Sequence, residues 1–218
     1  MATAGETMQL DGLRVGVTGH RPDRLARADL PELRARVAEV LSALQAGSRG
    51  RVTLVSALAE GADQLVAEVA LKAGLRLVCP LPFPLETYGQ DFAGAGALGT
   101  FRTLLAQAAE VEELPGSRGS PDAEAAAYAA VGARIVDRSD VLLAIWDGAQ
   151  SRGAGGTADV VAQARRAGLP AVWISATPPH RATVLDSDLV GTGNTLTALE
   201  AMRTHVEHST GRSSHPVP

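Results

Sequence analysis

One cysteine, Cys79, stands in a chain of 218 residues. A single thiol excludes an internal disulfide and any cysteine-based zinc cluster. At the end of an apolar run it reads as a small buried hydrophobe. Aromatic residues are only 3% of the chain, which leaves little surface for stacking on bases. An excess of positive charge is also missing. Lys+Arg number 20 against 24 Asp+Glu, a net charge of −4, which argues against broad electrostatic binding to nucleic acid while leaving room for a local basic pocket. No apolar run reaches membrane-spanning length, and the opening MATAGETMQLDG lacks the features of a signal peptide, so no membrane contact and a cytoplasmic location are expected. The first strand-to-helix turn lacks G-x-G-x-x-G, and G-x-x-x-x-G-K-[ST] is absent. Nothing has the spacing of HExxH or of a serine nucleophile elbow. His180, His205, His208 and His215 are too scattered to make a metal site, and no cofactor is expected.

What is present is an ordinary globular composition, 45% hydrophobic, long enough for one sizeable core. The expectation is a single domain over 1–218, with 1–12 and 209–218 as flexible tails. Strands are expected at Arg14 to Gly19, Val52 to Leu58 and Leu75 to Pro80, with helices between them. The Pro- and Gly-rich residues 80 to 100 are expected to fold as a long loop with a short helical piece. A helix over Phe101 to Ala109, a short strand at Val111 to Leu114, a mobile turn through 121 and a helix over Glu124 to Arg138 follow. Tyr128, Val131 and Ile135 fall on one face of that last helix. Strands at Val141 to Trp146 and Ala171 to Ser175, and a final helix near Thr195 to His208, complete the pattern. About six parallel strands with helices on both faces make a doubly wound, Rossmann-like α/β sheet, whose ligands bind outside the carboxyl ends of the strands.

The chemistry should therefore sit at strand ends, and three of them carry suitable residues. After Trp146 comes a loop with Gly153, Gly155 and Gly156, then a helix opening at Thr157 as N-cap. Glycines permit close backbone approach, and a helix N-terminus offers unpaired N–H groups, together an anion site. After the first strand come Gly19, His20 and Arg21. Arg21 suits a phosphate in bidentate fashion, and His20 either meets a ligand or bonds a neighbouring carbonyl. After the second strand, Ser56 and the N–H groups of Gly61, Ala62 and Asp63 form a second candidate cradle, unless Asp63 simply caps its own helix. Trp146 and Asp147 would stack on a base and take ribose hydroxyls, although Trp146 serves equally well as core.

Val15-Gly-Val-Thr-Gly-His-Arg-Pro22, the SALAEGAD segment from Ser56 to Asp63, LPFP followed by Tyr88 and Asp91-Phe92, and SDVLLAIWDG followed by GGTADVV together resemble the SLOG superfamily. This Rossmann-like group includes the Lonely Guy phosphoribohydrolases and the DNA-processing SMF proteins. The resemblance runs from about residue 14 to 175 and is nearest to bacterial members with an N-terminal Gly-His-Arg element. It implies a pocket for nucleotides or nucleotide-derived molecules, including ADP-ribose-like ligands, with phosphate over the Gly-Gly-Thr turn. Enzymatic Lonely Guy proteins carry P-G-G-x-G-T-x-x-E, and aligning Gly156-Thr157 puts Val160 where their catalytic Glu stands. Asp159 is one residue early, about 100° away around a helix, so phosphoribohydrolase activity does not carry over.

The expected function is thus binding of a nucleotide-derived small molecule, in a sensor role among others, and not of nucleic acid. The alternative is a nucleotide N-glycosidic hydrolase or transferase using Asp159 or Asp147 beside the ribose. Ala-rich helices present small-residue faces suited to a homo-oligomer.

Overall fold

Two central strands, each apolar along nearly its whole length, set the architecture. β1 (Arg14–Gly19) and β5 (Val141–Trp146) lie side by side and parallel, with Gly19 opposite Ile145. Both are covered on both faces, as their uninterrupted aliphatic runs require. The computed structural model describes residues 12–48, 51–150 and 155–185. The remaining strands are β2 (Thr53–Val55), β3 (Arg76–Leu81), β4 (Glu110–Glu113), β6 (Ala171–Ser175) and β7 (Ala182–Val184). They form one sheet in the order β4-β3-β2-β1-β5-β6-β7, parallel except for β7, which pairs antiparallel with β6. The fold is α/β and Rossmann-like, with the direction of winding reversing between β1 and β5.

The helices are α1 (Leu30–Gly47), α2 (Ala62–Lys72), α3 (Leu85–Tyr88), α4 (Gly94–Leu105), α5 (Pro121–Asp137) and α6 (Thr157–Arg166). Local chemistry fixes their starts. Asp29 accepts from the Glu32 N–H at 3.1 Å, with Pro31 in the first turn of α1. Ser120 does the same for Ala123 at 3.1 Å ahead of Pro121. α1 and α2 pack their aliphatic stripes with Val15, Val17 and Leu143 on one face of the sheet. α5 and α6 pack Val131, Ile135 and Val160 against Leu142 and Ala144 on the other. His180, fully buried, ties distant segments together: its Nε2 accepts from the Asp29 N–H at 3.1 Å, and its Nδ1 lies 2.8 Å from the Ser175 carbonyl.

Several expectations are corrected. Among the described residues the sheet has seven strands rather than about six, because the segment after β6 turns back as β7, bonded to it through three register pairs. β2 ends at Val55, since Ser56 is drawn into hydrogen bonds with its own loop. Gly94, Gly96 and Gly99 lie inside α4, where burial of Phe101 and Leu104 outweighs the low helix propensity of glycine. α4 ends at Leu105 rather than Ala109, and α5 begins at Pro121 rather than Glu124. The expected final helix, both terminal tails and Gly153 lie outside the described residues.

Candidate functional site

A cavity of about 370 Å³ opens at the carboxyl ends of β1 and β5, where the winding reverses. Arg21 and Arg24, from the connection after β1, stand on one side of it. Gly155, Gly156 and Thr157, at the start of α6, line it together with Ala158. Val17, Val131, Ile135 and Val160 make apolar walls, and Asp63, Tyr88 and Tyr128 supply polar atoms. Among the residues singled out from the sequence, the fold brings Gly19, Arg21, Asp63, Gly155, Gly156 and Thr157 into this one lining. His20, Ser56, Gly61, Ala62, Trp146, Asp147 and Asp159 are not part of it.

The N-terminus of α6 is simpler than expected. Its N-cap is Gly156, with Thr157 the first helical residue, and among the described residues no side chain caps the turn. The Asp159 N–H is taken by the Gly156 carbonyl at 2.9 Å, and the N–H groups ahead of it are those that a helix start directs at an anion. Gly155 has φ +79°, and a Cβ there would meet the backbone of Tyr128 and Ala129 at 2.8 Å, so the glycine lets this turn pack on α5. Gly19 similarly admits Ala62, whose Cβ would lie 2.4 Å from a side chain at that position.

Two groups of the second expected cradle, the Ala62 N–H and Ser56, are taken by protein partners. The Ala62 N–H donates to the His20 carbonyl at 3.0 Å, and Gly61 (φ +104°) lets that carbonyl approach where a Cβ would stand 2.5 Å from it. Buried Ser56 accepts from the Leu58 N–H at 3.1 Å and donates to Asp63 Oδ2 at 3.4 Å. Asp63 does not cap α2, whose N-cap is Gly61. Burial pushes its carboxyl up to about 7, against the charge of Arg21 and hydrogen bonds from the Ala59 backbone and Ser56. Burial also raises Tyr88 above the ordinary tyrosine range and pushes the Cys79 thiol up to about 12.

His20 and Asp147 form a unit beside the cavity. His20 is buried, and its Nε2 lies 3.1 Å from the Asp147 N–H and 3.0 Å from Asp147 Oδ1. Burial lowers its pKa against the opposing pull of Asp147, which favours the neutral ring. Burial raises the Asp147 carboxyl, but the Ala149 N–H, His20 and Arg24 outweigh it and bring the group to about 2. Arg24 reaches its Oδ2 at 2.5 Å. Asp147 is thus engaged by protein partners rather than presented to a ribose. Trp146 donates through Nε1 to the Ala149 carbonyl at 2.8 Å and packs against Trp173 at 6.0 Å between centroids.

A group that sequence reasoning left without a role centres on Asp91, whose side chain is 7% exposed. It accepts from the Tyr128 hydroxyl at 2.5 Å, pairs with Arg118 and lies 3.4 Å from Arg21. Arg118 also pairs with Glu124 and lies 4.4 Å over the Phe83 ring. The signal for Tyr128 was its place on one helical stripe with Val131 and Ile135. Nothing in the spacing indicated that Asp91 would meet it across 37 positions.

No family model matches the chain, and no curated protein matches it. Among solved structures it is similar to DNA processing protein A from Streptococcus pneumoniae, at 16% identity and a TM-score of 0.49, over 90% of this chain and 56% of that one. It is also similar to DNA processing protein A from Helicobacter pylori, at 16% identity and a TM-score of 0.49, over 95% of this chain and 85% of that one. The chain thus spans little more than half of the Streptococcus pneumoniae protein. The expectation of a nucleotide-derived small molecule with no nucleic acid is corrected: both neighbours are DNA processing proteins, and the Helicobacter pylori structure is described by its single-stranded DNA binding mode. Neither Asp159 nor Asp147, the carboxylates of the N-glycosidase alternative, is among the residues that line the cavity. Among the described residues no helix is long and apolar enough to cross a membrane.

Proposed function

We propose that the chain is a SLOG-type single-stranded nucleic acid binding protein that lodges a backbone phosphate between Arg21 and the start of α6. The observation that carries this reading is the meeting, in one cavity at the winding reversal, of Arg21 with a helix N-terminus that no described side chain caps. The Arg21 side chain is 38% exposed, and its ion pair among the described residues is a 3.4 Å contact to Asp91 through one nitrogen, so the guanidinium has further donors for a ligand. The cavity opens to solvent, which lets a strand cross it with its neighbouring nucleotides outside. Arg21, Arg24 and Arg27 follow β1 in close succession with Asp23 among them, and since Arg24 is paired with Asp147, Arg21 is the one that faces the cavity as a phosphate partner. Local charge decides phosphate contact, because at physiological salt the more distant carboxylates are screened within about 8 Å.

The test is fluorescence anisotropy with a labelled single-stranded DNA of about 16 nucleotides over a range of salt. Arg21→Ala is expected to weaken binding about tenfold and to lower the salt slope by about 0.7, the value for one phosphate contact on a single strand. Absence of binding at low salt would overturn the proposal. So would tight binding of AMP that the oligonucleotide does not compete away.

A further inference from the structure

We propose that the cavity admits one base of the bound strand and that Asp63 reads its hydrogen-bonding edge, favouring bases that present donors. This rests on the single-strand reading above and assigns the specificity of the same site.

The cavity is not lined as a phosphate site alone would be. Val17, Val131, Ile135 and Val160 present apolar walls, which a phosphate does not use and a flat base does. Deep among these walls lies the Asp63 side chain, with the residue 5% exposed. A carboxylate has about four acceptor sites. Among the described residues the contacts to Asp63 are a 3.4 Å approach of the Ser56 hydroxyl and a hydrogen bond from the Ala59 backbone, which leaves acceptor capacity on a buried side chain. An unfilled buried acceptor discriminates strongly between ligands that supply a donor and ligands that do not.

The bases differ in this respect. Cytosine and adenine present an exocyclic amino group, and guanine presents amino and imino donors together. Carboxylates pair with such donors in base recognition, cytosine N4 included. Thymine offers one N–H flanked by two carbonyl oxygens, which face a carboxylate with repulsion. Arg21, Tyr88 and Cys79 are the ionisable groups that act on Asp63. Since its carboxyl titrates near 7, the base preference is best measured at about pH 8.5, where Asp63 is ionised.

The experiment measures binding of oligo(dC), oligo(dA) and oligo(dT), each about 16 nucleotides long, to the wild type and to Asp63→Asn at that pH. The wild type is expected to bind oligo(dC) and oligo(dA) about tenfold more tightly than oligo(dT), the lower end of what one base-edge contact gives. Asp63→Asn should level the series, because its amide also donates to thymine carbonyls. Self-stacking of oligo(dA) cancels in the ratio of wild-type to variant affinity. Equal affinities in the wild type, a preference for oligo(dT), or a preference unchanged in a folded variant overturns the base assignment and leaves the single-strand reading standing. Failure of all three to bind overturns both. Should the variant not fold, the wild-type ranking alone decides.

Discussion

Asp63→Asn offers a test of the buried acid that does not depend on any ligand. The Asp63 carboxyl moves from 3.8, its ordinary value, to about 7 in the folded chain, chiefly through burial. A raised folded pKa means that the native state holds the proton more tightly than the unfolded chain. The resulting stability is complete below pH 3.8, declines as pH rises, and is gone above about 7. At about 1.36 kcal/mol per tenfold change in proton affinity, the full span is about 4 kcal/mol. Between about pH 5 and 8.5, where part of the span is already lost at the start, the wild type should lose about 3 kcal/mol from this group alone. The asparagine variant is nearly the same shape at this position and cannot titrate there. Urea unfolding of both proteins at several pH values across that range gives the comparison, since contributions of the other titrating groups cancel in the difference. The wild type should fall relative to the variant by about 3 kcal/mol, with most of the fall complete by about pH 7 and a plateau above it. Parallel stability curves would refute the reasoning, because they would place the Asp63 carboxylate in water or beside a compensating cation.

Three further outcomes are expected. His180→Ala removes the acceptor of the Asp29 N–H and a ring from a fully buried position, so chemical unfolding should show a loss of about 3 kcal/mol; a loss below about 1 kcal/mol would count against this staple. Gly61→Ala forces a Cβ against the His20 carbonyl at φ +104° and should cost more than about 2 kcal/mol, whereas Gly74→Ala, at φ +77° with open space around it, should cost about 1 kcal/mol. Equal melting temperatures for those two variants would contradict the close approach. Tyr128→Phe deletes the donor to nearly buried Asp91 and should lower stability by about 1.5 kcal/mol; no change would show that Arg118 alone satisfies the carboxylate.

The sequence by itself determined the parallel sheet and the end of it that carries chemistry. Uninterrupted aliphatic runs such as Val141 to Ile145 require cover on both faces, and periodic stripes such as Leu33, Val37, Val40 and Leu44 supply it. These are local patterns, readable one segment at a time. It also marked Arg21, Asp63 and the turn before Thr157, since glycines and charges at strand ends stand out without coordinates. Tertiary structure decided which of these meet. Ser56 and the Ala62 N–H look free along the chain, yet the fold commits them to Asp63, Leu58 and the His20 carbonyl. Asp147 likewise is taken by His20 and Arg24. Asp91 acquires its partners only because the segment carrying it reaches Tyr128 on α5. Hydrogen-bond satisfaction is a property of the closed fold: a donor or acceptor is available to a ligand only after every nearer partner has been counted, and for His20 and Asp147 those partners lie 127 positions apart.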